Sequence, residues 1–339
     1  MPSRRKKPSS RPGFGRPLAI LALAFLAAAA LLEIGTRILI WQEALVYQDS
    51  ADPRLRFELR PGAQGYKSGS WVRINSLGLR QPELAPVKGP HEFRLLVVGD
   101  HPSFALGLPE DVGYVQQISR YFQWPKNATF TVVNLSMYNY NIIQKLEAFK
   151  RRALPLDADA VVLQVGPDDF GRHPSPWLNQ PRLKNFLREH SHFYRWATEQ
   201  LFTRRAALSM NSGKPAPPGT VLRYLADFKK SCRLPMMLAY FPDLSKGETW
   251  ESPSPIEKRY QKDARKLGLP FVNVALAFRH HAASVLLIDP RKPYLGALGQ
   301  SLAAKAVTPG IFAMARRRSP ALRQPRRRYP QLLPPERQN

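Results

Sequence analysis

The sequence predicts an α/β protein in which a parallel sheet is covered by helices on both faces and is preceded by a single transmembrane helix. From residue 93 to residue 307 short apolar runs alternate with amphipathic segments. Strands separated by helices imply crossover connections and a parallel sheet. The 339 residues, 44% of them hydrophobic, are enough for one substantial core. We therefore predict a three-layer α/β/α, flavodoxin-like architecture.

The predicted elements follow from these two periodicities. Strands are predicted at residues 95–98, 131–135, 160–165, 235–240 and 271–274. Helices are predicted at residues 114–122, 142–153, 184–202, 221–230, 256–267 and 298–307. The turn-rich residues 42–92 form a small N-terminal extension, which we interpret as a hairpin cap on the main sheet. The sheet domain then covers residues 93–307.

An apolar run near the N-terminus predicts a membrane anchor. Residues 18–40 would form a helix of about 34 Å, long enough for a bilayer core of about 30 Å. Glu33 and Arg37 lie four residues apart on one face, and Trp41 suits the aromatic belt at the membrane surface. A cleaved signal peptide is the alternative. The basic residues 1–17 should remain cytoplasmic, which places the rest of the chain outside the cytoplasm, in the periplasm of a bacterium.

The charge of the chain is concentrated at its ends. The formal net charge is +26, and half of it comes from six basic residues among the first sixteen and eight arginines against one acid among the last twenty-four. Residues 308–339 are rich in arginine and proline, so we predict a disordered basic tail. Such tails favour anionic surfaces. The predicted placement outside the cytoplasm favours an anionic envelope glycan or lipid, and no nucleic acid is expected. The single cysteine, Cys232, rules out a disulfide within the chain.

The most informative motif lies where the apolar run of residues 93–99 ends in Gly99-Asp100-His101. The carboxyl end of a buried parallel strand is where α/β enzymes place their chemistry. The passage resembles the first block of SGNH/GDSL hydrolases, which usually carry Gly-Asp-Ser here with the serine as nucleophile. The resemblance extends over roughly residues 55–307. It implies an ester-hydrolase fold in which His101 stands at the position of the nucleophile.

The remaining blocks of the resemblance are altered as well. Residues 133–141 resemble Asn-Leu-Gly-x-x-Gly-Tyr-Asn, with Asn139 at the oxyanion glycine, and asparagine tolerates a positive φ. Residues 162–170 resemble Gly-x-Asn-Asp, but Asp168 replaces the amide donor with a carboxylate that repels an oxyanion. Residues 292–300 resemble the last block, with Lys292 at the orienting acid and Tyr294 at the base. A tyrosine with a pKa near 10 is a poor base.

Two alternatives remain for the altered site. Ser103 is a nearby hydroxyl and a possible displaced nucleophile, although two residues along a helix rotate it by about 200°. Asp100, His101, Asp168 and Asp169 could instead hold a metal ion, since histidine with carboxylates is a known ligand set. We favour a third interpretation, in which Asp100 and Asp169 brace loops while His101 and Asp168 neutralise each other. No cofactor is predicted.

These observations predict a membrane-anchored, SGNH-like protein that is catalytically degenerate and acts as a binding or scaffolding module at the cell envelope. Its expected ligand is an acylated or anionic glycan or lipid. The alternative is an active ester hydrolase or O-acyltransferase on envelope glycans or lipids that uses a displaced nucleophile. A gene product without a selected activity is the third possibility, and the sequence leaves the choice open.

Overall fold

The computed structural model describes residues 15–40, 44–55, 57–85, 87–121, 128–170, 182–198, 219–249, 251–291 and 294–318. The helices are α1 (Gly15–Leu39), α2 (His101–Phe104), α3 (Tyr114–Gln117), α4 (Ile142–Arg152), α5 (Arg182–His190), α6 (residues 192–198), α7 (Thr220–Ser231), α8 (Pro255–Lys266), α9 (Ala283–Leu286) and α10 (Ala297–Arg318). The strands are β1 (Tyr47–Asp49), β2 (Phe57–Leu59), β3 (Gln64–Lys67), β4 (Ser70–Arg73), β5 (Glu92–Gly99), β6 (Thr129–Ser136), β7 (Ala160–Val165), β8 (Met236–Tyr240) and β9 (Phe271–Asn273).

The chain divides into two compact units. The first contains residues 1–42 and 179–208, so α1 belongs with α5 and α6. Residues 16–39 of α1 are long and apolar enough to cross a membrane, by length and composition, and its apolar side chains are exposed along the helix. The predicted helix at residues 18–40 is confirmed.

The second unit contains a five-stranded sheet in the order β6-β5-β7-β8-β9. Every neighbouring pair in it is parallel. The central strands β7 and β8 are mostly apolar, as expected where both faces are covered by helices, and in β5 every residue after Glu92 is buried. All five predicted strands are found within three residues of their predicted ends, so the sequence periodicity located the whole sheet.

Each face of the sheet carries its own apolar core. On one face α4, α7 and α8 contribute Leu146, Phe228 and Tyr260 against Val98 and Leu163. The other face is covered by α3 and α10, whose side chains pack on Leu95, Val97 and Val162 of the central strands. The predicted three-layer α/β/α architecture is therefore observed.

The last helix corrects one boundary. The predicted disordered tail was placed at residues 308–339, but α10 continues to Arg318. Ile311, Met314 and Ala315 are buried in the core, at helical spacing from the last predicted turn. Pro309 lies within this helix. Proline usually indicates a helix end because it lacks an N–H, and here burial of the following turn outweighs that loss. Residues 319–339 lie outside the described part.

The N-terminal extension forms two small antiparallel sheets, β1–β2 and β3–β4. Its apolar side chains, among them Val46 and Phe57, share a core with Phe104, Met137 and Tyr140. Phe104 belongs to α2, and the other two residues follow β6. The extension therefore packs at the carboxyl edge of the main sheet and supports the loops that carry the altered motif residues.

Candidate functional site

The altered motif residues lie where the three neighbouring strands β6, β5 and β7 end. β5 pairs with both of the others, so their carboxyl ends adjoin. Gly99 ends β5 and leads directly into Asp100 and α2, while Ser136 ends β6. Residues 167–170, which follow β7, form a short 3-10 helix. This edge, which we call the crevice, is where the sequence motifs predicted the candidate site.

His101 lies at the first position of α2, with 15% of its side chain exposed. Its Nδ1 is 3.5 Å from Asp100 Oδ1. The ring packs edge-on against Tyr294 at a centroid distance of 6.0 Å, and the Tyr294 hydroxyl lies 2.7 Å from the hydroxyl of Tyr138. The structure thus brings together His101 and Tyr294, which the resemblance places at the nucleophile and the base, and adds a second phenol.

Ser103 lies beneath the end of β5. Its side chain is 1% exposed, and its Oγ is 2.6 Å from the Tyr114 hydroxyl and 3.3 Å from Gln164 Oε1. A Cβ at Gly99 would collide with the same serine oxygen, so the glycine permits this close approach. Burial raises the pKa of Tyr114, which therefore stays a neutral phenol. The Ser103 hydroxyl is enclosed and is not presented to a substrate.

A buried ion cluster supports the crevice from below. Lys145, on α4, is fully buried, and its Nζ lies 2.6 Å from Asp100 Oδ2 and 2.5 Å from Asp169 Oδ1. The ammonium also donates to the carbonyl of Gln164 at 3.0 Å. Burial opposes the charged form, but the two carboxylates outweigh it and raise the pKa of Lys145. Lys145 therefore remains a cation that joins the ends of β5 and β7.

Asp169 accepts hydrogen bonds from three partners. Besides the bond from Lys145, its Oδ2 accepts the backbone N–H of Gly166 at 2.7 Å and the hydroxyl of Tyr260 at 2.9 Å. These bonds tie the loop after β7 to α8. The prediction that Asp169 braces a loop agrees with this geometry.

The geometry corrects two of the sequence hypotheses. Among the residues that the structure describes, no group of three or more His, Cys, Asp or Glu is placed to hold a metal ion. The ammonium of Lys145 occupies the position between Asp100 and Asp169 that a metal would need. Asp168 does not pair with His101 either, since its Oδ1 accepts a hydrogen bond from Lys246 Nζ at 2.9 Å. The two side chains contact different partners, Asp100 for His101 and Lys246 for Asp168.

Two further motif positions complete the crevice. Asn139 has φ of 65°, the left-handed conformation in which the resemblance places a glycine. Asparagine adopts it more readily than most residues, so the turn is retained with a different side chain. Lys292 lies outside the described residues.

Several residues that shape the site were missed in the sequence. Gln164 Oε1 accepts the backbone N–H of Asp100 at 2.7 Å. Gln300 accepts the N–H of Tyr114 at 2.8 Å and donates to the carbonyl of Pro102 at 3.1 Å, which joins α10 to α2. A signal existed for Lys145. It occupies a position on the apolar face of α4, where a charged residue needs buried partners.

Arg80, from the turn before the sheet domain, holds the loop after α2. It is 1% exposed and donates to the carbonyl oxygens of Ala105 at 2.7 Å and Leu108 at 2.5 Å, and also to that of Phe104. Its guanidinium lies 4.9 Å from the ring centre of Phe104. Burial lowers the pKa of Arg80 to about 10, so it is charged at neutral pH.

A cleft of about 420 Å³ lies beside the β3–β4 hairpin, where Pro109 and Glu110 form its other side. Tyr66 and Trp71 face each other across the hairpin and are 44% and 56% exposed. Arg73 adds a cationic group to the same cleft. Large exposed aromatic rings beside opposite charges are suited to contacts with a sugar. The chain from α2 to Glu110 connects the crevice to this cleft.

Comparisons with known proteins find similarity among solved structures alone. No protein-family model and no curated protein matches the sequence. Among solved structures the chain is similar to TesA, at 15% identity over 65% of this chain and 99% of the other, with a TM-score of 0.42. It is similar to a lipase/acylhydrolase from Enterococcus faecalis, at 12% identity over 65% and 95%, with a TM-score of 0.43. It is also similar to a member of the lipolytic G-D-S-L family from Veillonella parvula, at 10% identity over 63% and 96%, with a TM-score of 0.41.

Proposed function

We propose that this protein is a membrane-anchored binding module of the cell envelope, built on an SGNH-like fold that no longer hydrolyses esters. One observation carries the proposal: His101 occupies the position of the nucleophile, while the hydroxyl of Ser103 is buried against Tyr114 and Gln164. Nucleophilic catalysis requires an accessible oxygen beside a base, and this serine has neither. The crevice is retained as a recognition surface.

The other altered positions support the same proposal. Asp168 places a carboxylate where an oxyanion would need a donor, and removing one such donor already costs about 10²–10³ in rate. The hydroxyl of Tyr294 is hydrogen-bonded to the hydroxyl of Tyr138. A pair of phenols beside an imidazole can still donate and accept hydrogen bonds. Such groups recognise the hydroxyl and acetyl oxygens of an acylated glycan.

Anchoring through α1 is part of the proposal. Residues 18–32 of this helix are apolar and exposed, and a lipid bilayer would accommodate such a surface better than water would. The basic N-terminus favours a cytoplasmic start, which places the sheet domain on the other side of the membrane. An acylated or anionic envelope glycan is the ligand class we propose, because the aromatic cleft at Trp71 and Tyr66 lies on the same unit as the crevice.

The experiment measures turnover and binding on the same preparation. Full-length protein in detergent is incubated with p-nitrophenyl acetate, with a fluorophosphonate probe, and with acetylated xylan. We expect no acetate release above the uncatalysed rate, no covalent adduct, and saturable binding of the xylan seen as a change in tryptophan fluorescence. Acetate release that Ser103→Ala abolishes would instead establish the active esterase.

Single-residue variants test whether the crevice and the cleft both contribute to xylan binding. His101→Ala and Trp71→Ala should each weaken xylan binding at least several-fold, because they remove groups from the crevice and from the cleft. Leu77→Ala is the matched control, since Leu77 is 44% exposed and belongs to neither site. Equal affinity of all three variants and the wild type, or no binding of either acetylated or deacetylated xylan, would contradict a glycan ligand.

A further inference from the structure

Glu33 and Arg37, the two charged residues of the anchor, contact the junction between α5 and α6 at residues 190–193, which we call the corner. The carboxylate of Glu33 accepts hydrogen bonds from Ser191 Oγ at 2.8 Å, the N–H of His192 at 2.9 Å and the N–H of Phe193 at 3.1 Å. These two N–H groups belong to the first two residues of α6. A carboxylate at a helix N-terminus satisfies free donors and complements the helix dipole. Glu33 therefore caps a helix that lies about 160 residues further along the chain.

Arg37 caps the C-terminal end of the preceding helix, α5. Its Nη2 donates to the carbonyl oxygen of His190, the last residue of α5, at 2.9 Å, and its Nε lies 2.8 Å from Glu33 Oε1. A cation is favoured at a helix C-terminus. The ion pair of α1 therefore contacts both the C-terminal end of α5 and the N-terminal end of α6. This contact explains why an otherwise apolar helix retains two charges.

The position of this corner along α1 determines how deep the corner lies in the membrane. Glu33 precedes the last residue of α1, Leu39, by six residues, or about 9 Å of helix. α1 as a whole is about 37 Å long, against a bilayer core of about 30 Å. The corner therefore lies near one boundary of the hydrocarbon region when α1 spans a membrane.

The surface of α5 is suited to that boundary. Leu183, Phe186, Leu187 and His190 follow a spacing of three and four residues, which places them on one face. Leu183 is 67% exposed and Phe186 is 56% exposed. Lys184 is exposed on the far side of the helix, about 160° away from Phe186. An exposed apolar face opposite a basic one is typical of helices that lie in a membrane surface.

The composition of this segment points to lipid as well. Residues 182–198 contain four basic residues and one acid, so the segment is cationic. Three of its aromatic residues, Phe193, Tyr194 and Trp196, lie in α6. Aromatic side chains are enriched at the membrane–water boundary, and basic ones are attracted to anionic lipid.

We propose that α5 and α6 form a second membrane contact, in which the Leu183–Phe186 face of α5 inserts among the acyl chains of an anionic phospholipid surface at a depth fixed by Glu33 and Arg37. This inference rests on the membrane anchoring proposed above. The partner is the lipid headgroup and acyl boundary of the same membrane that α1 crosses, and the role of the segment is to hold the chain at the bilayer surface.

The test places spin labels on the full-length protein in vesicles of phosphatidylcholine and phosphatidylglycerol. In a Cys232→Ser background, single labels are attached at Phe186→Cys, Lys184→Cys and Phe25→Cys. Collisions with oxygen report lipid, and collisions with a water-soluble nickel chelate report water. We expect oxygen accessibility to exceed nickel accessibility several-fold at position 186 and the reverse at position 184.

The label at position 25 separates failure of this inference from failure of the anchoring. If the label at 25 is accessible to oxygen while the labels at 186 and 184 are both accessible to the nickel chelate, the surface contact is overturned. The anchor is then left intact. A label at 186 that is shielded from both reagents would show that protein covers the face, which also overturns the proposal. A water-accessible label at 25 would reject the anchor itself. Glu33→Gln should raise the nickel accessibility of the label at 186, because it weakens the contact between α1 and the start of α6.

Discussion

At the scale of single residues, the ammonium of Lys145 is enclosed by two carboxylates with no exposed side-chain surface. Lys145→Ala should destabilise the fold by about 3–5 kcal/mol, because it leaves Asp100 and Asp169 buried without their counter-ion. Equilibrium urea denaturation of the detergent-solubilised protein measures this loss. The crevice should open at the same time, since the lysine joins the ends of β5 and β7.

Lys246→Ala is the matched control for this substitution. Lys246 also contacts two carboxylates, Asp168 at 2.9 Å and Asp243 at 3.0 Å, but its side chain is 54% exposed. Exposed ion pairs contribute about 0–1 kcal/mol. Equal losses for the two lysine variants would show that burial is not what makes Lys145 important.

Glu92, the first residue of β5, should make the stability depend on acid pH. Burial opposes its ionisation, but hydrogen bonds from Arg94 and from the N–H of Gly89 outweigh it and lower the pKa of Glu92 to about 2. A carboxylate with a lowered pKa contributes stability above its ordinary pKa of 4.5, and that contribution is lost as the pH falls toward 2.

Glu92→Gln should therefore cost about 2 kcal/mol at pH 7, the value typical of hydrogen bonds to a charged group. The difference from the wild type should shrink as the pH falls from 4.5 to 2. Urea midpoints across this range provide the measurement. A difference that stays constant with pH would contradict ionisation of Glu92 as the cause.

Residue-level prediction from the sequence succeeded where a motif fixed the position and failed where the partner was distant. The left-handed turn at Asn139 follows from the family pattern. The pairing of His101 with Asp168 was wrong, because nothing local to either residue shows that Lys246 lies closer to Asp168. Lys145 was overlooked for the same reason, since its two partners are 45 and 24 residues away.

At the scale of elements, the last turns of α10 provide a test of the corrected boundary. Ile311 is fully buried, and Gly310 passes so close to Met237 that a Cβ would collide with its sulfur. Ile311→Ala should cost about 2–5 kcal/mol, as expected for a buried aliphatic side chain. The exposed Arg317→Ala should change the unfolding free energy by less than about 0.5 kcal/mol. Equal stability of both variants would support the tail that the sequence predicted.

The strands were predicted more accurately than the helix ends because the two carry different signals. A buried parallel strand is apolar at almost every position, as β7 is apart from Gln164, so the extent of the apolar run indicates where the strand begins and ends. The end of α10 has no such mark. Pro309 and the following arginines are typical of a tail, and only the packing of Ile311 and Met314 against the sheet identifies the helix.

At the scale of the whole molecule, the parallel sheet and the three layers followed from the alternation of strands and helices, whereas the division into two units did not. The segment that contains α5 and α6 belongs with α1, although 142 residues separate Leu39 from Arg182. Local periodicity predicts each of these helices and gives no information about their association. The charges of Glu33 and Arg37 were visible in the sequence, but their partners required the structure.

The orientation of the chain across the membrane is the last property that belongs to the whole molecule. The basic residues at the N-terminal end of the chain, up to the first turn of α1, are Arg4, Arg5, Lys6, Lys7, Arg11 and Arg16. By the positive-inside rule they should hold the N-terminus in the cytoplasm and place the sheet domain outside it. In a bacterial host, alkaline phosphatase fused after Asn339 should be active, because it folds only outside the cytoplasm, and β-galactosidase fused at the same point should be inactive. Replacing the six basic residues with glutamine should raise the β-galactosidase signal, since the charge difference across α1 is then lost. An active β-galactosidase fusion to the wild-type chain would place the domain in the cytoplasm, and the basic C-terminal residues would then meet nucleic acid before any envelope glycan.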